Sequence, residues 1–271
     1  MKNENLGKTI QKAIDILNLF SQECPVLSLT DISGRAGIPK PTALRILNTL
    51  ILNDLLARDE INKNYMLGSR VLYMSSIVLS RIDVRTVAIP ILRDIRDRTG
   101  ENVHLNTIID GKRVCIECMK GFQSLQYTVQ VGERTPLYAG ASARLLLAFL
   151  DDEEREAIID KLEIEPLTEN TIIDKSKLRE DIARIRSKGF VVTYGERLKG
   201  IYSISMPIMD MTGLVIAGLS LAIPEVRMDK EKLDEYIKLL LDGSCRISRG
   251  LGYFGGNLPA STGAEKVLEL P

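Results

Sequence analysis

Residues 28–52, SLTDISGRAGIPKPTALRILNTLIL, restrict the fold more than any other part of the chain. Ser28 is followed three residues later by Asp31, a spacing in which the serine hydroxyl caps an orphan backbone N–H and the acid lies where a helix N-terminus favours negative charge. A helix is predicted to begin there, with Leu29 and residues 32–36 keeping one apolar face. Gly37 supplies the positive-φ residue that ends a short helix, Ile38 returns an apolar anchor, and Pro39 or Pro41 fits a first turn where no N–H is needed. In the second helix Leu44, Leu47, Leu50 and Ile51 fall at helical spacing and are predicted to face inward, leaving Lys40, Thr42, Ala43, Arg45, Asn48 and Thr49 outward. Two short helices joined by a glycine-containing turn, the second opening on a polar and basic face, form a helix-turn-helix whose second helix enters a major groove N-terminus first. An ordinary helical hairpin has the same periodicity, so the flanking residues must decide.

They favour the DNA-binding arrangement. Residues 55–68, LLARDEINKNYMLG, read as strand, polar turn at 60–64 and second strand, a small hairpin directly behind the recognition helix. Arg58 and Lys63 lie near its tip, where a wing meets phosphates. Upstream, Ile10, Ala13, Ile14, Leu17 and Phe20 form a helical stripe predicted to pack under the helix-turn-helix. This run, from IQKAIDILNLF to YMLGSRVL, resembles the N-terminal domain of the IclR family of bacterial transcriptional regulators.

The charge balance is neutral, with 36 basic and 36 acidic residues, and residues 1–75 hold nine Lys or Arg against seven Asp or Glu, a surplus of two. Affinity for nucleic acid must then come from specific placement and from pairing reading domains rather than from a strongly basic surface. No signal segment is legible at the N-terminus, and the longest uncharged stretch, residues 211–224, is too short to span a bilayer. A cytoplasmic protein is expected. The four cysteines, Cys24, Cys115, Cys118 and Cys245, do not form a disulfide framework. Cys115 and Cys118 sit in a strand-like segment, VCIEC, where residues three apart point to opposite faces and cannot share a metal without a bulge.

Beyond the wing, residues 69–82 read as a linker helix with apolar residues on more than one face, and residues 83–254 as a second domain opening on a helix that ends at Thr99-Gly100. Strands are predicted at 102–109 and 112–119 around the hairpin signal Asp110-Gly111, then at 125–131, 190–194, 203–209 and 214–223. Helices are predicted at 144–150, 151–169, 177–188 and 229–251, and residues 255–271 have the composition of a disordered tail. The sum is an α+β chain: a winged helix-turn-helix, a linker helix, and a mainly antiparallel sheet covered by helices.

The segments TGENVHL, YAGAS, GFVVTYGER, KGIYSISMPIMD and GLVIAGLSLAIP resemble the GAF-like effector-binding domain of IclR regulators, so the resemblance covers most of the chain. It implies an effector cavity lined by Tyr127, Ala141, Ser142, Thr193, Ile201, Ser203, Ser220 and Ala222. It also implies a double-stranded operator read by Lys40, Thr42, Ala43 and Arg45 at base edges, with Arg35, Arg58 and Lys63 nearer phosphates, and a homodimer or dimer of dimers.

Small residues at 140–143 before a helix either suit a carboxylate or form a tight turn that merely packs; with the resemblance, an organic acid, aromatic or not, is the expected effector, with Arg144 keeping a positive charge nearby. Two departures bear on that class: many members carry S-G-K-A where this chain has Ser142-Ala143-Arg144-Leu145, and many have an acid near Thr193 or Tyr194, where this chain has none. No catalytic residues, metal site or cofactor are expected, since the lone histidine, His104, has no evident nucleophile partner and no phosphate-binding glycine motif is present. Two readings of other kinds stand beside this one: a redox- or metal-responsive regulator acting through Cys115 and Cys118, and an interaction module that no longer binds DNA.

Overall fold

A computed structural model describes residues 7–21, 23–79, 83–124 and 129–255. The chain divides into two compact units, residues 1–82 and 83–271.

In the first unit, helix α1 (Lys8–Leu17) precedes a short strand β1 (Val26–Leu27), helices α2 (Leu29–Arg35) and α3 (Lys40–Leu52), strands β2 (Leu56–Arg58) and β3 (Tyr65–Leu67), and helix α4 (Ser69–Leu79). Ser28 caps α2 as its spacing predicts: its hydroxyl accepts from the Asp31 amide, and the Asp31 carboxylate accepts from the Ser28 amide. The Ser28 hydroxyl also donates to that carboxylate at 2.6 Å and, with the Ser28 amide, holds the Asp31 carboxyl below its usual range. Gly37 turns the chain at φ 64°. β1 adds a third strand to the wing, pairing with β3 in the order β1-β3-β2, a strand too short to be read from Val26 and Leu27 alone.

Two predicted apolar stripes are shifted in phase. On α1 the fully buried residue is Ile16, while Ile10 and Ile14 are 68% and 44% exposed. On α3 the core takes Ala43, Ile46, Leu47 and Leu50, and Leu44 turns outward. Gly68, which closes the wing, has a packing reason: a Cβ there would lie 2.1 Å from the Asp54 carbonyl oxygen.

The second unit opens with α5 (Val84–Thr99), capped by Asp83 and ended by Gly100 in the left-handed region. A six-stranded sheet follows from β4 (Asn102–Ile109), β5 (Lys112–Met119), β6 (Arg134–Thr135), β7 (Val191–Tyr194), β8 (Ile201–Met209) and β9 (Val215–Pro224), in the order β6-β5-β4-β9-β8-β7. Every neighbouring pair is antiparallel. The β4–β5 hairpin turns on Asp110 and Gly111, both at positive φ, as Asp-Gly predicts. The strand expected at 125–131 is not found at 129–131; residues 125–128 lie outside the described residues, and the edge strand is β6 instead.

Helices α6 (Ala141–Ala148), α7 (Asp152–Lys161), α8 (Lys175–Lys188) and α9 (Lys230–Gly250) complete the unit. Alternation along β9 sorts them: a Cβ on Gly218 would touch Leu145 of α6, whereas Leu219 and Ile95 of α5 close around Gly243 of α9. The sheet therefore carries α6 on one face and the α5–α9 pair on the other. That pair approaches closely because Gly243 and Gly250 have no side chain to meet Ile95 and Val87. α6 starts at Ala141 rather than at Arg144, so residues 141–143 are its first turn. Residues 80–82 of the predicted linker helix and 256–271 of the predicted tail lie outside the described residues.

Candidate functional site

On α3, the side chains of Lys40 and Arg45 are exposed and Thr42 is half-buried, so all three are accessible in the first two turns of the recognition helix. Ala43 does not belong with them. It is fully buried against the α1–α2 core, and its methyl has no route to a base edge. Arg35 is exposed at the end of α2 with its Nη1 3.6 Å from Cys24 Sγ. In the wing, Arg58 lies over the Tyr65 ring at 5.5 Å, and Lys63 pairs with Glu60 at 3.2 Å. The wing turn is held by Asp59, whose carboxylate accepts from the Ile61 and Asn62 amides.

In the second unit a cavity of about 50 Å³ lies between the first turn of α6 and the sheet face that α6 covers. Ala141, Ser142, Thr193, Ile201, Ser203, Ser220 and Ala222 all line it. Tyr127 lies outside the described residues. The cavity has further walls that the sequence reading did not name, among them His104, Asn106, Arg113, Gly140, Glu196 and Arg197. Strand register explains the convergence: His104 is paired with Ser220, Ser220 with Ser205, and Ser203 with Ala222, so these side chains share one face. The period-two alternation of polar His104 and Asn106 with apolar Val103 and Leu105 was the available signal.

The cavity floor is a buried polar network. Arg113 Nη1 donates to Asn106 Oδ1 at 3.0 Å, Asn106 Nδ2 donates to Ser220 Oγ at 3.3 Å, and Ser220 and Ser205 share a 2.8 Å hydroxyl contact. The partner that a buried Ser220 hydroxyl requires is therefore supplied by neighbouring strands. His104 Nε2 is buried and, among the described residues, meets no hydrogen-bond partner. Burial, with Arg113 and Arg197 nearby, pushes the His104 imidazole down to about 3, so it is neutral at physiological pH.

Arg144 does not serve the cavity as a free cation. Its guanidinium is buried between the carboxylates of Asp181 and Glu196. Glu196 also accepts from the Gly140 amide at 3.0 Å, so an internal carboxylate already occupies the N-cap amide of α6. Glu196, just beyond Tyr194, is the acid of this region. Burial pushes its carboxyl up, while Arg144 and the Gly140 amide pull it down. Gly140 is held at φ 87°, and a Cβ there would lie 2.9 Å from Arg197 Cδ, so this corner admits glycine alone without rearrangement. The cavity's basic side chains are Arg113 and Arg197, the latter donating to Glu133 at 3.1 Å.

Cys115 and Cys118 differ from expectation in one respect. A register shift between Leu105 and Asn106 sets Cys115 opposite Asn106 and Cys118 opposite His104, two residues of a single face. The bulge thus removes the geometric objection to their sharing a ligand. Chemistry argues the other way: burial pushes the Cys115 thiol up to about 12 and raises Cys118, and Cys115 donates to the Glu117 carbonyl. Among the described residues no group of three His, Cys, Asp or Glu side chains is placed to hold a metal ion.

Two family models match the chain: the IclR helix-turn-helix domain over residues 9–60, and the bacterial transcriptional regulator IclR C-terminal domain over residues 76–249. The chain belongs to the IclR family. The regulator KipR of Bacillus subtilis is 33% identical over 250 residues, spanning 92% of this chain and 99% of KipR. The crystal structure of Thermotoga maritima IclR is 30% identical with a TM-score of 0.61, covering 91% of this chain and 99% of that one. An IclR homologue from Microbacterium hydrocarbonoxydans, solved with 4-hydroxybenzoate, is 25% identical with a TM-score of 0.57, covering 90% and 98%. As an IclR-family member the chain is a DNA-binding transcriptional regulator, its two units being the reading and effector domains of that family. No helix among the described residues is long and apolar enough to cross a membrane.

Proposed function

We propose that this IclR-family regulator binds a palindromic operator as a cytoplasmic homodimer or dimer of dimers, and that a small organic acid in the α6 cavity sets its operator affinity. The observation that carries the reading is the convergence of Ala141, Ser142, Thr193, Ser203 and Ser220 with Arg113, Arg197 and His104 on one cavity. A concave site with a few convergent polar groups is what a small ligand needs. The α6 first-turn amides beyond Gly140, together with Arg113 and Arg197, favour a carboxylate. The relative solved with 4-hydroxybenzoate supports an acid effector. With about 50 Å³, room for roughly four water-sized groups, the cavity suits an effector smaller than that aromatic acid.

Lys40, Thr42 and Arg45 meet base edges, and Arg35, Arg58 and Lys63 meet phosphates. The acid acts by binding one arrangement of the paired reading domains more tightly than another, with α4 as the connecting element. Electrophoretic mobility of DNA upstream of the protein's own gene tests the DNA half. A shifted band lost in Arg45→Ala supports regulation, and no shift under any condition supports an interaction module instead.

A further inference from the structure

A second, larger cavity of about 410 Å³ lies against α8 and the free edge of β7. It is not the one the family-matched positions line, although Thr193 and Glu196 contribute to both. Its floor is apolar, from Ile172, Ile185 and Phe190, the last two buried. Its polar side comes from one stripe of α8: Asp181, Arg184, Ile185 and Lys188 all line it, and their i, i+3, i+4, i+7 spacing sets them on one face. Arg184 and Lys188 stand exposed at the mouth. At the back is Arg144, 3% exposed, whose Nε has no hydrogen-bond partner among the described residues even though its terminal nitrogens hold Asp181 and Glu196. A buried donor without an acceptor carries a desolvation cost that an incoming oxygen would remove.

We infer that this cavity is a second ligand site, for a carboxylate with an apolar body. The ring or chain lies on Ile172, Ile185 and Phe190, and the carboxylate meets the Arg144 Nε–H or Lys188 together with Arg184, whose Nη2 also holds Asp181 at 3.1 Å. Three cationic side chains face two carboxylates there, so the lining favours an anion. A volume within the range of small-molecule sites admits a body of drug-fragment size, which the first cavity does not.

Isothermal titration of the full-length protein with 3-phenylpropionate, and with the neutral 3-phenylpropanamide, tests the site. The acid is expected to bind saturably, once per chain, and the amide about tenfold or more weakly, since a hydrogen bond to a charged group is lost. Ile172→Trp fills the second cavity and is expected to abolish binding; Ala141→Leu fills the first and is expected to leave it unchanged. Lys188→Glu, an exposed change that does not depend on repacking the core, is expected to weaken the acid but not the amide. Absence of binding to the wild-type protein, equal binding of acid and amide, or loss in Ala141→Leu with retention in Ile172→Trp would each overturn the assignment.

Discussion

The carboxylate of Glu196 grips the buried guanidinium of Arg144 with one oxygen while its other oxygen takes the Gly140 amide at the start of α6. The turn that leads into the α6 cavity is thereby tied to α8, because Arg144 also holds Asp181. Both side chains of the Arg144–Glu196 pair are less than one-tenth exposed. Neutralising Glu196 leaves the buried Arg144 guanidinium with Asp181 as its remaining carboxylate partner, and losing a contact to such a buried charge costs more than an exposed pair contributes. Glu196→Gln, which preserves shape and leaves Arg144 paired with Asp181, is expected to lower unfolding stability by about 1.5–3 kcal/mol in urea titrations. A change within about 0.5 kcal/mol, typical of surface substitutions, would show that the pair is not formed.

His104 gives a pH signature. Its folded-state pKa, about 3, lies below the unfolded value of 6.5, so the unfolded chain binds more protons between those limits. Stability from this group is complete above pH 6.5 and is lost as pH falls toward 3. Between pH 7 and pH 5 the loss is about 2 kcal/mol. Urea midpoints at the two pH values should differ by correspondingly less in His104→Leu than in the wild-type protein.

The corrected phase of α3 separates two substitutions only two residues apart, on opposite sides of the helix. Ala43→Leu forces a larger side chain into the α1–α2–α3 core and is expected to cost about 1–3 kcal/mol of stability. Arg45→Ala leaves the melting temperature unchanged and weakens operator binding by about 1–3 kcal/mol. Thermal melts and fluorescence anisotropy on labelled operator DNA check the pair; the reverse assignment of effects would restore Ala43 to the reading face.

Gly68 is required for space. Gly68→Ala sets a methyl within 2.1 Å of the Asp54 carbonyl oxygen, and the backbone must move to admit it. A loss of about 1–3 kcal/mol is expected, with the wing hairpin losing amide-exchange protection first.

Thiol chemistry distinguishes the ligand mechanism from a redox one. With Cys115 raised to about 12 and Cys118 also raised by burial, little thiolate exists at neutral pH. Alkylation of both by iodoacetamide is expected to be slow in the native protein, and Cys118→Ser to leave DNA binding unaltered with or without peroxide. A fast-reacting pair whose oxidation abolishes DNA binding would favour the redox mechanism.

Features set by local geometry were legible in the chain. The Ser28–Asp31 cap, the turn at Gly37 and the Asp110-Gly111 hairpin each depend on a few adjacent residues, and the structure shows all three. The phase of α3 was not legible, because apolar side chains at 43, 44, 46, 47, 50 and 51 leave two overlapping stripes; packing against Ile16 and Ile32 selects the one containing Ala43. Positions of the cavity residues on β7, β8, β9 and α6 came from the family pattern. His104 and Arg113 depend on strand register across the β4–β5 and β4–β9 pairs, and the destination of Arg144 depends on Asp181 and Glu196, which are distant in sequence. Arg144 is not a free cation of the α6 cavity because a buried guanidinium's terminal nitrogens take whatever carboxylates the fold brings to them.

The most direct test of the account is operator affinity measured by fluorescence anisotropy on DNA upstream of the protein's own gene, with and without a panel of small carboxylic acids, for the wild-type protein and for Ala141→Leu. At least one acid is expected to change the wild-type Kd for DNA, and the same acid to leave the Ala141→Leu Kd unchanged while that variant still binds DNA. An acid response that persists in Ala141→Leu, or DNA binding that no acid alters, would contradict control through the α6 cavity.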